Sequence, residues 1–596
     1  MKKIRPTRTL CLLPAAVVAC ALYMACAPAT RAFSEPVVSD FQTDGGAVVV
    51  PDGCSAATRC SRDLKQILDG CDGHVVAACG TGQGCGAKGE CVPACEAAAT
   101  VQGSLGCDFI ALPPDGTGSN IGGSCFATFV GNTWNEPTSI HVDYDNQEQD
   151  AAGSIYLPVV SGNTITYELL DGKLPPGKTA IIFMAQAQKQ SGDFNFFVAC
   201  PKGVKPILSV DPIKHGTART KSFRLRSDAP VSAYSIWPYG GAISYAPSAM
   251  LLLPTTSLGS DYVLVDGWKA NPLNSPEGPR AQIVANEDGT EVKLTPTVNL
   301  GDGDHLVGAA AGQTATYTLN RGEVLQFASL LELNGSTLQS NKPIAVFGGS
   351  SCMNVPEDVA ACDAASQQLP AVTQWGHEYI GVRYRSRLGS AGNDGESVPW
   401  RVTAAIDGTV LTYDPAPPDQ APASLAAGES ATFWSASAFT VRSQDSAHPI
   451  FMSAFMTGGY GYNGLGDPEL VNVVPSDQYL DHYVFFADVT YKETSLVLVR
   501  RKTDGAFNDV TLDCAGIVVG WKPVGTSGDF EYTRLDLSVG GAPVKNASGV
   551  CFVGGHEMSS DGPFTATVWG WDNYASYAYP TGTGIRPLND VNVVVR

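Results

Sequence analysis

The sequence predicts an all-β protein made of tandem repeats of about 110 residues, a size that fits β-sandwich-like units. Three observations carry that prediction. A ten-residue element recurs as SDAPVSAYSI from Ser227, SNKPIAVFGG from Ser340, SAHPIFMSAF from Ser446 and SDGPFTATVW from Ser560. Its prolines fall at 230, 343, 449 and 563, at intervals of 113, 106 and 114 residues. Composition agrees: 64 Gly, 39 Pro, 22 Phe and 21 Tyr favour strands and tight turns over helices. Finally, Asp-Gly lies between alternating runs in QIVANEDGTEVKL, WRVTAAIDGTVLTY and LVLVRRKTDGAFNDVTL, which is a hairpin signal because both turn residues tolerate positive φ.

From the N-terminus, residues 1–26 form an export signal. Lys2, Lys3, Arg5 and Arg8 precede the apolar stretch Leu10–Ala25, which at 16 residues is too short for a comfortable membrane span. A lipid anchor is expected at Cys26, alternatively at Cys20. The 14 cysteines from Cys54 onward are an even number that can all pair, and cleavage at Cys20 would leave Cys26 over. Simple secretion, cut near Ala29 or Ala32, is the other outcome. Residues 27–52 serve as a tether.

Residues 53–106 form a small disulfide-rich segment. Cysteines 54, 60, 71, 79, 85, 91 and 95 crowd together, which in an exported chain reads as a disulfide scaffold. No Cys-x2-Cys pair supports zinc, and His74 is a surface residue. Seven cysteines cannot all pair among themselves, so one bond leaves the cluster, with Cys107 the nearest candidate. Farther on, Cys352 pairs with Cys362 across a short loop and Cys514 with Cys551 inside the last repeat.

Residues 107–596 are the repeat region. A second anchor travels with the first: Pro254, Pro370 and Pro475 each precede an aromatic strand carrying Tyr262, Tyr379 or Tyr483. Paired runs such as TYTLNRGEVLQF give a further hairpin reading. The Ser-x-x-Pro element is a structural corner. Proline lacks an N–H and suits the first residue of a strand, its predecessor is pushed toward extended geometry, and the serine hydroxyl can bond nearby backbone. Tandem sandwiches are the first architecture. The alternative is a β-propeller, with half a repeat per blade.

The anchors together resemble a known family. LLLPTTSLGSDYVLV, RGEVLQF, SNKPIAVFGGSSCMNVPEDVAACD, QLPAVTQWGHEYI and GDPELVNVVPSDQY, in that order, are similar to the IgGFc-binding protein N-terminal domain family over roughly Cys107 to Asn573. The resemblance implies an extracellular, non-enzymatic module used in binding or surface coating. Where the family's loop after the second cysteine is richer in acidic and histidine residues, this chain reads CDAASQQLP.

Chemistry-bearing motifs are scarce. His-Glu-x-x-His and Gly-x-Ser-x-Gly are absent. Gly459, Gly461 and Gly464 match Gly-x-Gly-x-x-Gly, but GDPELVNVVP follows and no helix N-terminus would face a phosphate. HVDYDNQEQD offers Asp143, Asp145, Glu148 and Asp150 as hard oxygen ligands without an EF-hand pattern, and a solvated loop is expected there. GDGDH, Gly301–His305, is weaker. Trp237 with Tyr239, or Tyr460 with Tyr462, could form a sugar platform. The formal charge of −20 makes nucleic acid a poor partner. The expectation is a non-enzymatic, cofactor-free binding or adhesion module at the cell surface or outer membrane, engaging protein or glycan ligands. A carbohydrate-binding module and an envelope spacer or coat protein are the alternatives.

Overall fold

The structure, a computed structural model, describes residues 58–593 apart from 62, 117–120, 162–163, 190–195, 244–245, 272–276, 389–394 and 547. Cys20, Cys26, Cys54 and the tether lie outside the described residues. The chain is all-β, with one α-helix among the described residues, Ala94–Val101 in the disulfide-rich region, and a few short 3-10 turns.

The fold follows from what each Ser-x-x-Pro element does. In repeat 2 the element sits inside one long strand, Thr337–Met353. Before Pro343 this crossing strand bonds to Gly259–Val263 and Thr290–Thr295; after it, to Pro279–Ala285 and Asp363–Leu369. The chain therefore leaves one sheet and enters the facing one at the proline, where a missing N–H costs no ladder bond. Phe223–Trp237 of repeat 1 and Gly554–Asp572 of repeat 4 cross in the same way. The prolines thus lie inside continuous strands, not at strand starts as the sequence suggested.

Repeat 3 is the exception, and the register explains it. Ser340 lies opposite Val292, whereas the matching Leu411 faces Ser443, not Ser446. Six positions separate Ser443 from Pro449, against three between Ser340 and Pro343. The insertion breaks the crossing strand into Phe439–Ser443 and Ile450–Met456, so this repeat shows two separate four-stranded sheets. The serine bond marks the true equivalents: Ser227, Ser340 and Ser443 each donate to the carbonyl two residues on, at 2.7, 2.6 and 3.3 Å.

The two sequence anchors meet at this corner. Tyr262 Oη donates to the carbonyl of Ile344, the residue after Pro343, at 2.8 Å and accepts the Gly259 N–H at 3.1 Å. Tyr379 does the same with Ile450 and Gly376, and Tyr483 with Phe564 and Leu480. In repeat 1 the position holds Phe109, beside Gly106, which pairs with Val231.

Of the three Asp-Gly turns, only the third closes a tight hairpin turn: Asp504 and Gly505 take φ of 51° and 81°, and Thr503 and Ala506 bond each other across them. Gly289 and Gly408 take φ of 65° and 71° as the turn chemistry requires. Yet Pro279–Ala285 pairs with Glu323–Ala328 and Thr337–Met353, and Thr290–Thr295 pairs with Ala315–Leu319 and Thr337–Met353. The turn carries the chain from one sheet to the other. Burial shows why: every residue of Pro279–Ala285 is buried, while Thr290–Thr295 alternates buried and exposed. The first strand packs on both faces, the second on one. TYTLNRGEVLQF is a sheet-to-sheet turn for the same reason, since Ala315–Leu319 and Glu323–Ala328 do not bond to each other.

Each repeat is thus a two-sheet sandwich, and the propeller's radial blades are not the repeat unit. The four sandwiches nonetheless close a ring. Ser248–Leu251, Asp363–Leu369, Glu469–Asn472 and Ala575–Pro580, the inner strands, pack on one another in cyclic order, the fourth against the first. Apolar clusters span the seams: Phe347 joins the repeat 1 core, Trp569 and Trp571 the repeat 3 core, and residues of repeat 1 such as Phe129, Phe183 and Tyr234 share one core with repeat 4.

The disulfide-rich region carries Cys60–Cys85 and Cys79–Cys91, and Cys95–Cys107 ties it to repeat 1. Cys71 is also disulfide-bonded. Leu64, Ala97, Trp134 and Ala229 pack together across that junction. Cys125–Cys200 closes a loop within repeat 1.

Candidate binding face

At one end of the ring, four loops lead from the crossing strands back to the inner strands. They are, in the described residues, 238–243 and 246–247 in repeat 1, 354–362 in repeat 2, 457–468 in repeat 3 and the two-residue turn Asn573–Tyr574 in repeat 4. They converge. Gly458 donates to Val355 O at 2.9 Å, Gly466 to Asp572 O at 2.8 Å and Tyr574 to Gly464 O at 2.7 Å. The short helical turn Gly241–Ile243 packs on Ala575–Pro580.

The loops of repeats 2 and 3 are braced from within. Cys352 and Cys362 are joined, closing the repeat 2 loop, and Asn354 Nδ2 donates to Val359 O and Ala361 O inside it. The glycine-rich loop of repeat 3 is held by Arg387, which is fully buried and pairs with Glu396 at 2.8 Å. From that fixed position the guanidinium donates to Thr457 O and Leu465 O, at 2.8 and 3.0 Å, so one side chain clamps both ends of the loop. It also lies 3.8 Å from the ring centre of Tyr462. Gly459 and Gly461 lie in the helical turn Gly459–Tyr462 and Gly464 just past it, and the chain then leads into a strand, not a phosphate cradle. On this braced frame Tyr460 is 72 % and Ile243 71 % exposed, with Leu465 nearby.

Beneath the loops lies a buried acidic floor. Asp363, Asp467 and Glu469 are almost fully buried, and each has at least one carboxyl oxygen without a hydrogen-bond partner. Burial drives the Asp363 and Glu469 carboxyls well above the usual range, and the charges of Asp467 and Glu469 push Asp363 further. Burial raises Asp467 to about 7, against the pull of the Gly459 N–H and Arg387. Asp488 is pushed up to about 6 by burial. Burial thus favours the protonated form of the Asp363 and Glu469 carboxyls. Sequence inspection missed it, because single acids in CDAAS and GDPEL carry no pattern until the inner strands bring them together.

The other residues singled out in the sequence fall elsewhere. Cys514 and Cys551 are joined in repeat 4. Trp237 and Tyr239 are buried, packed in the sandwich cores, so that pair cannot stack on a ligand. Tyr462 lies under Arg387, which leaves Tyr460 alone on the surface. The acidic run is taken up by local partners: Asp143 with Arg226, Asp145 with Lys221 and Glu148 with the His141 ring, each at 2.8 Å, while Asp150 accepts the Ala152 N–H at 3.3 Å. Asp304 pairs with Lys214. His74 is an exposed partner of Asp72. Asp513, Cys514 and His556 lie close together, but the Cys514 sulfur is spent in its disulfide. No described helix is long and apolar enough to cross a membrane.

The sequence model of the family described as "IgGFc binding protein" matches residues 248–570, more than half of the chain. The chain belongs to the IgGFc-binding protein family. The match starts at the first inner strand and ends inside the last crossing strand. It therefore takes in the loops of repeats 2 and 3 and leaves out the disulfide-rich region and most of repeat 1, narrower than the resemblance read from the motifs. The human IgGFc-binding protein is 25 % identical over 299 residues, covering 48 % of this chain. The chain spans only 5 % of that relative's length. No solved structure matches.

Proposed function

We propose that this IgGFc-binding family member is an exported, non-enzymatic module that binds a protein partner through the loop face. One observation carries the reading: four loops of unequal length converge on one end of a rigid ring and hold Tyr460, Ile243 and Leu465 exposed on a clamped frame. Aromatic and apolar side chains fixed before binding lose little entropy on contact, the property of interface anchors. The human relative's name states binding to the Fc part of IgG; from it we carry over a protein ligand, not that ligand. The disulfides favour an oxidising compartment. Lipidation at Cys26, alternatively Cys20, would place the ring at the cell surface or outer membrane, where adhesion is the natural role.

A photo-crosslinking residue at position 460, with one at Val519 as a control that is 66 % exposed on repeat 4, tests the face on intact cells. A discrete protein adduct from 460 and none from 519 is expected. Equal adducts from both would sink the loop-face reading. Protease shaving of the same cells should release peptides from residues 107–596 without lysis.

A further inference from the structure

The four repeats differ at one sheet edge. In three of them, the strand that pairs with the first strand of the inner sheet is itself covered by an added strand. Thr179–Ala185 is covered by Ile155–Ser161, Glu323–Ala328 by Ala218–Lys221, and Phe530–Val539 by Lys522–Val524. In repeat 3 the equivalent strand, Ser430–Ser435, pairs with Val398–Ala404 and is the end of its sheet among the described residues. Natural edges are blunted by lysine, proline or a bulge. This one reads SATFWS and has none of them.

Repeat 2 shows what such an edge accepts. Its covering strand, Ala218–Arg219-Thr220–Lys221, arrives from outside the repeat, just before the crossing strand of repeat 1, and adds antiparallel. Lys221 lies opposite Glu323, with Nζ 3.5 Å from its carboxylate. Repeat 3 keeps the acceptor half of this arrangement. Glu429 occupies the place of Glu323: both follow a glycine with φ near 75°, at 73° and 75°, and both accept the N–H three residues back, from Ala426 at 2.8 Å and Asn320 at 2.7 Å. Glu429 is exposed.

The donor half is missing. The segment that precedes the crossing strand of repeat 2, and so corresponds to Ala218–Lys221, is the loop 329–336. It turns back instead: Gly335 donates to Leu264 O and Ser336 to Leu333 O. It reaches the edge at two points: the Gly335 backbone packs on Gly428, just before Glu429, and Arg401 bonds Glu332 at 2.6 Å and Thr432 Oγ1 at 3.3 Å. Leu330 and Leu331 of this loop are 48 % and 62 % exposed.

We propose that the edge strand Ser430–Ser435 takes up an extended, basic segment of a partner protein as an added antiparallel strand, with a lysine or arginine opposite Glu429. The inference rests on the protein-binding reading but uses a different surface. Transposing the repeat 2 register puts a small residue opposite Thr432, a basic one opposite Ala431, a β-branched one opposite Ser430 and the lysine opposite Glu429. Main-chain bonds along the edge supply affinity and the charge supplies register, as in strand addition generally. The acidic surface of a chain with formal charge −20 draws such a segment in.

The probe is the chain's own filler as a free synthetic peptide, residues 216–222 (GTARTKS), at millimolar concentration. It is added to the full chain and followed by amide hydrogen exchange. The amides of 430–434 should slow saturably, while those of 323–328, already covered, should not change. Changing the peptide lysine to glutamate, or Glu429→Gln in the protein, which keeps the turn bond, should weaken the effect about 2- to 5-fold. Glu429→Lys combined with the glutamate peptide should restore it. No slowing at 430–434, or slowing indifferent to both charge changes, would overturn the proposal. The crosslink from position 460 would stand or fall separately.

Discussion

The seam between repeats 1 and 2 and the seam between repeats 4 and 1 hold the same ring by different physics. At the first, the buried Asp115 carboxylate accepts Arg280 Nε at 2.6 Å, the Gly216 N–H at 3.0 Å and a bond from His215 Nδ1 at 2.8 Å. At the second, Phe129 stacks on Phe486 at 4.6 Å and Tyr234 lies on Tyr579 at 4.8 Å. Tyr234 Oη donates to carbonyls of repeat 4 at Val484 and Thr581. Consecutive repeats are already joined by the chain, so their seam needs orientation, which a buried ion pair fixes well. The closing seam joins the first repeat to the last and meets the largest loop-closure entropy. The Phe129–Phe486 and Tyr234–Tyr579 contacts add apolar area, the larger favourable term, there. Repeats 2 and 3 follow the first pattern, with Arg401 between Asp266 and Glu332, and so do repeats 3 and 4, where Arg385 meets Glu493.

The largest expected effect is at the closing seam. Phe486→Ala should destabilise the chain by about 4 kcal/mol, transfer plus cavity. A urea titration should give the same loss at pH 7 and pH 9. Arg280→Met should cost about 3 kcal/mol, because it removes one partner of a buried pair and leaves Asp115 buried without Arg280. That loss should vary with pH. Burial lowers the His215 pKa, but its bonds to Asp115 and Asp211 outweigh burial and hold it at about 10. A raised histidine stabilises fully below its unfolded value near 6.5, and the contribution is lost as pH rises through about 10. The 1–2 seam should therefore weaken between pH 7 and 10, and His215→Gln should flatten that slope. If Phe486→Ala is the variant whose cost changes with pH, the contrast between the seams is wrong.

The floor under the loops gives a smaller effect of opposite sign. Asp467 rises from 3.8 to about 7 on folding, so the folded chain holds the extra proton between those values. Stability then falls as pH rises from about 4 to about 7 and stays low above. Asp467→Asn keeps an acceptor for the Gly459 N–H and removes the charge. It should stabilise the chain by about 2 kcal/mol at pH 8 and by nothing at pH 4. A loss at pH 8 would mean that the carboxylate is wanted ionised.

The sequence carried the repeat, its length and both anchors, because proline, serine and tyrosine recur at fixed places for local steric and hydrogen-bonding reasons. It misjudged what those signals join. An Asp-Gly turn reports a chain reversal but says nothing about which strand each arm bonds, so hairpins were expected where the chain changes sheets. Ser446 matched the motif by letter while Ser443 held the place, since an insertion is visible only in the register. The ring was hidden because Phe129 and Phe486 are ordinary core residues until repeats 1 and 4 meet. The floor was hidden for the same reason, each acid lying on a different inner strand or loop.

The smallest effect tests whether the two anchors form one device. Tyr262, Tyr379 and Tyr483 each bond the carbonyl just past the corner proline, and repeat 1 has Phe109 instead. Removing the hydroxyl leaves a buried carbonyl and a buried N–H with one partner fewer. Tyr379→Phe should therefore cost about 1 kcal/mol. Repeat 3, whose crossing strand is broken at the insertion, depends on that bond more than repeat 2 does, where the strand runs through. Tyr379→Phe should cost more than Tyr262→Phe, measured as the difference in urea midpoint at equal slope. Equal losses would mean that the hydroxyl serves its own strand and not the corner.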